Sequence, residues 1–123
     1  MEFATALSCI DGRIQRPVNE FLLAEFGVTY LDTVTRAGMI KYLPSSYDPA
    51  TTAIVVDLDS SIRAHSPKHL ALVAHQDCAG NPVDDEIQLR QLEDGLAHFR
   101  RRYPELGVIG VWVDTAMNIE LRA

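Results

Sequence analysis

Three short apolar runs stand out along the chain: FATAL (3–7), LALVA (70–74) and GVIGVWV (107–113). None alternates cleanly between apolar and polar residues, which is the pattern of parallel strands covered on both faces. A fourth run, VTYLDTV (28–34), is rich in β-branched and aromatic residues and predicts another strand. Between the runs the period lengthens. In RPVNEFLLAEFG (16–27), Val18, Phe21, Leu22 and Phe26 form one apolar stripe, with Pro17 early and Gly27 at the stop. From 84 to 103, Leu89, Leu92, Leu96, Phe99 and Tyr103 recur at helical spacing. Acidic Asp84 to Glu86 open this stretch and Arg100 to Arg102 close it, as the helix dipole favours. In the segment 51–65, Ile54, Leu58 and Ile62 recur once per helical turn, while Ile54-Val55-Val56 is strand-like; the segment reads as a helix.

Strands alternating with helices predict an α/β fold, with a mainly parallel sheet of four to five strands and helices on both faces. MNIEL (117–121) is a candidate antiparallel edge strand at the C-terminus. The stretch from Arg36 to Pro49 is long for a connection. Its Met39, Ile40, Tyr42 and Leu43 are expected to line a cleft or an interface, the alternative being that they tuck onto the core. No repeat or linker interrupts the pattern, and the length predicts a single domain over residues 1–123.

The hydrophobic fraction of 47% and charged fraction of 23% are those of an ordinary globular chain, so a core is expected without staples. A net charge of −6 argues against a nucleic-acid partner, because phosphate neutralisation needs clustered Lys and Arg, and the one arginine cluster reads as a helix end. No apolar run approaches the ~20 residues of a membrane span. Met1-Glu2-Phe3 lacks the basic start of a signal peptide. A cytoplasmic location and no membrane partner are therefore expected. Thiols stay reduced there, which makes the two cysteines metal ligands, catalytic groups or buried free thiols before a disulfide.

Their placement sharpens this. Cys9 lies just past the first strand, and His75 and Cys78 just past the third. Ligands in open α/β sheets gather beyond the carboxyl ends of the strands, where strand order reverses. Two thiolates and an imidazole suit zinc, and three protein ligands leave a fourth position open. Zinc lowers the pKa of a bound water to about 7. Asp11 is placed to accept a hydrogen bond from the resulting hydroxide, and Arg13 to hold that carboxylate in a bidentate fork. Alternation in an extended segment would point Cys9, Asp11 and Arg13 to one side. Without the fork, Asp11 would be free to swing onto the metal and fill the open position. Asp77 reads as a turn residue or a partner of an imidazole N–H. His65, His69 and His98 read as surface or loop residues, and Trp112 as core.

At these residues the chain resembles the β-class carbonic anhydrases, a family marked by Cys-x-Asp-x-Arg after the first strand and His-x-x-Cys after a later one. Here these read CIDGR (9–13) and HQDC (75–78), while TRAG (35–38) is similar to the family's Arg-Asn-Ala-Gly segment. The closing VIGVWVDTAMNIEL (108–121) looks like the family's last strand pair. The resemblance implies a zinc lyase that interconverts CO2 and bicarbonate through zinc-bound hydroxide. Cys9, His75 and Cys78 would be the metal ligands, with Asp11 and Arg13 the catalytic dyad. It also implies a homodimer or higher homo-oligomer with a small-molecule substrate. Relatives sharing the motif hydrolyse carbonyl sulfide or carbon disulfide, and a zinc-binding or bicarbonate-sensing module is a further alternative. Gly12 stands where the family usually has serine, and Ala79 where glycine commonly follows the second cysteine. The chain starts almost at its first strand, so the family's N-terminal helical arm is expected to be absent.

Overall fold

A computed structural model describes residues 2–122. Five strands, β1 (Phe3–Ser8), β2 (Tyr30–Thr35), β3 (His69–His75), β4 (Gly107–Val113) and β5 (Ile119–Arg122), form one sheet in the order β2-β1-β3-β4-β5. All neighbours run parallel except β5, which returns antiparallel along β4. The α/β architecture and the antiparallel C-terminal edge are those expected from the sequence. Helices α1 (Gly12–Phe26), α2 (Pro49–His65) and α3 (Asp85–Arg102) link the parallel strands, and a 3₁₀ turn spans Met39–Tyr42.

Period two sorts the strand side chains between two cores. Ala6, Ala71, Val73, Val111 and Val113 face Ile14, Val18 and Leu22 of α1. Leu7, Leu70, Leu72 and Trp112 instead join Ile54 and Leu58 of α2 and Leu92, Leu96 and Phe99 of α3. The sheet is therefore covered on both sides, which is why its central strands read as continuous apolar runs.

The ambiguous segment is a helix for reasons that lie at its start. The Asp48 carboxylate accepts from the Ala50 N–H, and Pro49 takes a first-turn position where its missing N–H costs nothing. Ile54, Leu58 and Ser61 then fall on the buried face. Helix α1 departs from expectation. It begins at Gly12, not near residue 16, because Asp11 caps it, and Pro17 consequently lies inside it. Arg13 is thus helical and not part of an extended alternation.

The long connection keeps most of its apolar residues for the core. Met39, Ile40 and Leu43 are buried against α3 and β3, so they do not line a cleft. His98 also departs from expectation, being buried and not a surface histidine. Its Nδ1 bonds the Leu43 carbonyl at 2.7 Å and its Nε2 the Ser46 hydroxyl at 3.2 Å, a polar clamp that explains how an imidazole sits in the core. Trp112 is core, as expected.

Candidate metal centre

The chain runs outward from β1 to β2, then crosses back to place β3 on the other side of β1. Strand order thus reverses between β1 and β3, and their carboxyl ends carry Cys9, His75 and Cys78. Cys9 follows β1 by one residue, His75 is the last residue of β3, and Cys78 lies in the turn beyond it. One ligand atom from each lies within 4.8 Å of the others, and all three residues are buried. The two sulfurs are 3.8 Å apart although 69 positions separate them in sequence.

The histidine is set up to donate a lone pair. Nδ1 bonds the Gln76 carbonyl at 3.1 Å, while Nε2 is buried with no hydrogen-bond partner among the described residues. A carbonyl can only accept, so Nδ1 carries the hydrogen and Nε2 the free pair. Burial pushes the imidazole pKa down and favours this neutral form. Burial also pushes the Cys78 thiol up, and the neighbouring Cys9 sulfur adds to this. A divalent cation reverses that second effect by giving both sulfurs a common counter-charge. An orphaned buried nitrogen beside two sulfurs is a donor set that fits zinc.

The dyad forms, though by helix capping and not by strand alternation. Asp11 Oδ1 accepts from the Arg13 backbone N–H at 2.9 Å, the capping bond of α1. The guanidinium then closes a fork, with Nε at 3.1 and 3.2 Å from the two carboxylate oxygens and Nη2 at 2.7 Å from Oδ2. These side-chain bonds first, and the backbone bond second, hold the Asp11 carboxyl down at about 2. Asp11 shares with Cys9, Ile10, Gly12, Ala37, Ala79 and Gly80 the wall of an open bowl of about 400 Å³.

A family model described as "Putative carbonic anhydrase" matches residues 1–122. The chain belongs to that family. No curated protein matches it in sequence. Among solved structures it is similar to a tetrameric β-carbonic anhydrase from the filamentous ascomycete Sordaria macrospora. That match has 16% identity, covers 98% of this chain and 79% of that one, and has a TM-score of 0.63. A carbonic anhydrase from Glaciozyma antarctica is similar at 12% identity, over 97% and 81% of the two chains, with a TM-score of 0.64. The β-carbonic anhydrase of the fungal pathogen Aspergillus fumigatus follows at 13%, 98%, 74% and 0.54. At these identities the likeness establishes the fold. The family match adds the kind of protein: an enzyme of the carbonic anhydrase type.

The carbonic anhydrase motif does not contain every residue that shapes this centre. Gln15 donates from Nε2 to the carbonyls of Cys9 and Asp11, both at 2.8 Å, and so braces the segment between strand and helix. Gln88 accepts from the His75 backbone N–H at 3.1 Å. The Gly38 N–H points at Cys9 Sγ at 3.4 Å, and Lys41 Nζ bonds the Gly80 carbonyl at 2.7 Å. Gln15 lies in the first turn of α1, ahead of the helix start that the sequence predicts, and the other contacts cross between distant segments. Asp77 lies in a turn, as expected, but its partner is Arg13 and not the imidazole.

Proposed function

We propose that this protein is a zinc-dependent carbonic anhydrase interconverting CO2 and bicarbonate, acting through one domain over residues 1–123. The observation that carries the reading is the buried, partnerless Nε2 of His75 beside the sulfurs of Cys9 and Cys78. These three atoms would hold the metal. Zinc bound there supplies a Lewis acid able to bring the pKa of a coordinated water to about 7. Asp11 offers an ionised carboxylate at the rim of the bowl as acceptor for a water O–H, which fixes the direction of that water's lone pair. Arg13 keeps the carboxylate ionised and in one rotamer. The small side chains of Ala37 and Ala79 leave the bowl open to a small apolar reactant.

Elemental analysis paired with stopped-flow CO2 hydration tests this. The expected result is about one zinc per chain and hydration well above background. Asp11→Asn should retain the metal and lose roughly 100-fold in rate, in line with the loss of one positioned acid–base group. A zinc-loaded protein hydrating at the background rate would refute the reading.

We also infer a homo-oligomer, in the cytoplasm. No helix among the described residues is long and apolar enough to cross a membrane. The outermost strand β2 contains no buried residue, in contrast with β1 and β3, and carries no Lys or Pro to blunt its free edge. One of the similar structures is tetrameric. Sedimentation at micromolar concentration should show at least a dimer; a monomer would remove this part of the reading.

A further inference from the structure

The fork that holds Asp11 leaves one side of the Arg13 guanidinium free, and Asp77 occupies it. Arg13 Nη1 lies 3.3 Å from Asp77 Oδ2, and Nη2, which already binds Asp11, also donates to the Asp77 carbonyl at 3.1 Å. Asp77 sits between His75 and Cys78 with φ +59, a left-handed conformation that aspartate, asparagine and glycine accept most readily. In that conformation its carbonyl and its carboxylate both reach one guanidinium. Arg13 therefore joins the segment after β1, which carries Cys9 and Asp11, to the turn after β3, which lies between the other two donors, His75 and Cys78.

The contacts on Asp11 show what this link restrains. Oδ1 accepts from Arg13 N and Nε, and Oδ2 from Nε and Nη2, so both carboxylate oxygens are engaged. Asp11 can become a metal ligand only by leaving the fork or by drawing the guanidinium with it. A guanidinium bonded to the Asp77 carboxylate and carbonyl is held back from following. We propose that Asp77 is a positioning residue that anchors Arg13 from the HQDC turn and thereby keeps Asp11 from closing the fourth metal position. This rests on the metal reading above for its consequence, but the anchoring itself is a property of the protein without metal.

Two measurements on the full chain separate these. In metal-free protein, the Arg13 Nε–H followed by NMR should exchange slowly, and Asp77→Asn should accelerate its exchange at least fivefold. Asparagine tolerates the left-handed turn, and an exposed ion pair adds little stability, so the melting temperature of this variant should stay near that of the parent. Unchanged exchange would overturn the proposal, whatever the metal does. In cobalt-substituted protein, azide binding read from the visible spectrum reports access to the fourth position. Asp77→Asn should weaken azide at least fivefold, yet less than twofold when Asp11 is already Asn, because the effect acts through that carboxylate. Equal weakening in both backgrounds, or none in either, would overturn it. If the protein takes up no cobalt, the metal reading fails, and the exchange measurement still decides whether Asp77 anchors Arg13.

Discussion

Cys78→Ser is expected to leave the purified protein with less than about a tenth of its zinc and with CO2 hydration at background. A serine hydroxyl does not ionise near neutral pH and is a hard donor, so the site would keep one sulfur and one nitrogen, too few for a catalytic zinc site. Among the described residues, the three named are the one group of histidine, cysteine and acidic side chains close enough to share an ion as they stand, and the neighbouring Asp11 carboxylate is held in the Arg13 fork. The loss also reaches stability. Metal bound only by the native state stabilises it by mass action, about 4 kcal/mol at a free concentration 1,000 times Kd. For a chain of this size that is roughly 15 °C in melting temperature. A chelator should therefore lower the melting temperature of the parent by about that much and leave Cys78→Ser unmoved. Full zinc occupancy in the variant, by elemental analysis, would remove Cys78 from the site.

Gly38→Ala should be the most damaging substitution outside the donor set. Gly38 has φ +64, and a Cβ there would sit 2.3 Å from the Gly80 carbonyl oxygen and 2.6 Å from its carbon. Those are backbone atoms two residues after Cys78, so they cannot yield as a flexible side-chain tip would. The left-handed conformation costs a non-glycine residue about 1–2 kcal/mol, and overpacking about 1–3 kcal/mol more. The sum, roughly 2–5 kcal/mol, should appear as a lower urea midpoint. Relief by shifting the backbone would move the Gly38 N–H off Cys9 Sγ and pull on Gly80, so zinc affinity should fall together with stability. A destabilisation below about 1 kcal/mol with unchanged metal affinity would show that the two loops are not interlocked.

The same glycine pair shows where reading the chain as a string stops. TRAG and the residues after HQDC both contain glycine, and each is consistent with an ordinary turn. That they press backbone to backbone depends on how β2 and β3 bring their loops over one end of β1, which no local pattern encodes. Helix α1 is a different case. The stripe Val18, Leu22 is legible, but Gly12 and Arg13 carry no apolar signal, so the sequence does not mark the first turn and Pro17 reads as a beginning. Asp11 signals the chemistry in the sequence and is also the cap that starts the helix. His98 reads as exposed in the sequence because a polar side chain is placed by its partners, and those lie in a loop some fifty residues earlier.

By itself the sequence determined the α/β alternation, the two-sided covering of the sheet, and the identity of the five residues proposed for the chemistry. Those features are written in periods of two and about 3.6 residues and in side-chain type, all of them properties of short stretches. Only the tertiary structure decided that two sulfurs 69 positions apart lie 3.8 Å from each other, that His75 presents Nε2, and that Arg13 reaches Asp77. Such distances follow from strand order and register, which are set by how all the apolar faces pack at once.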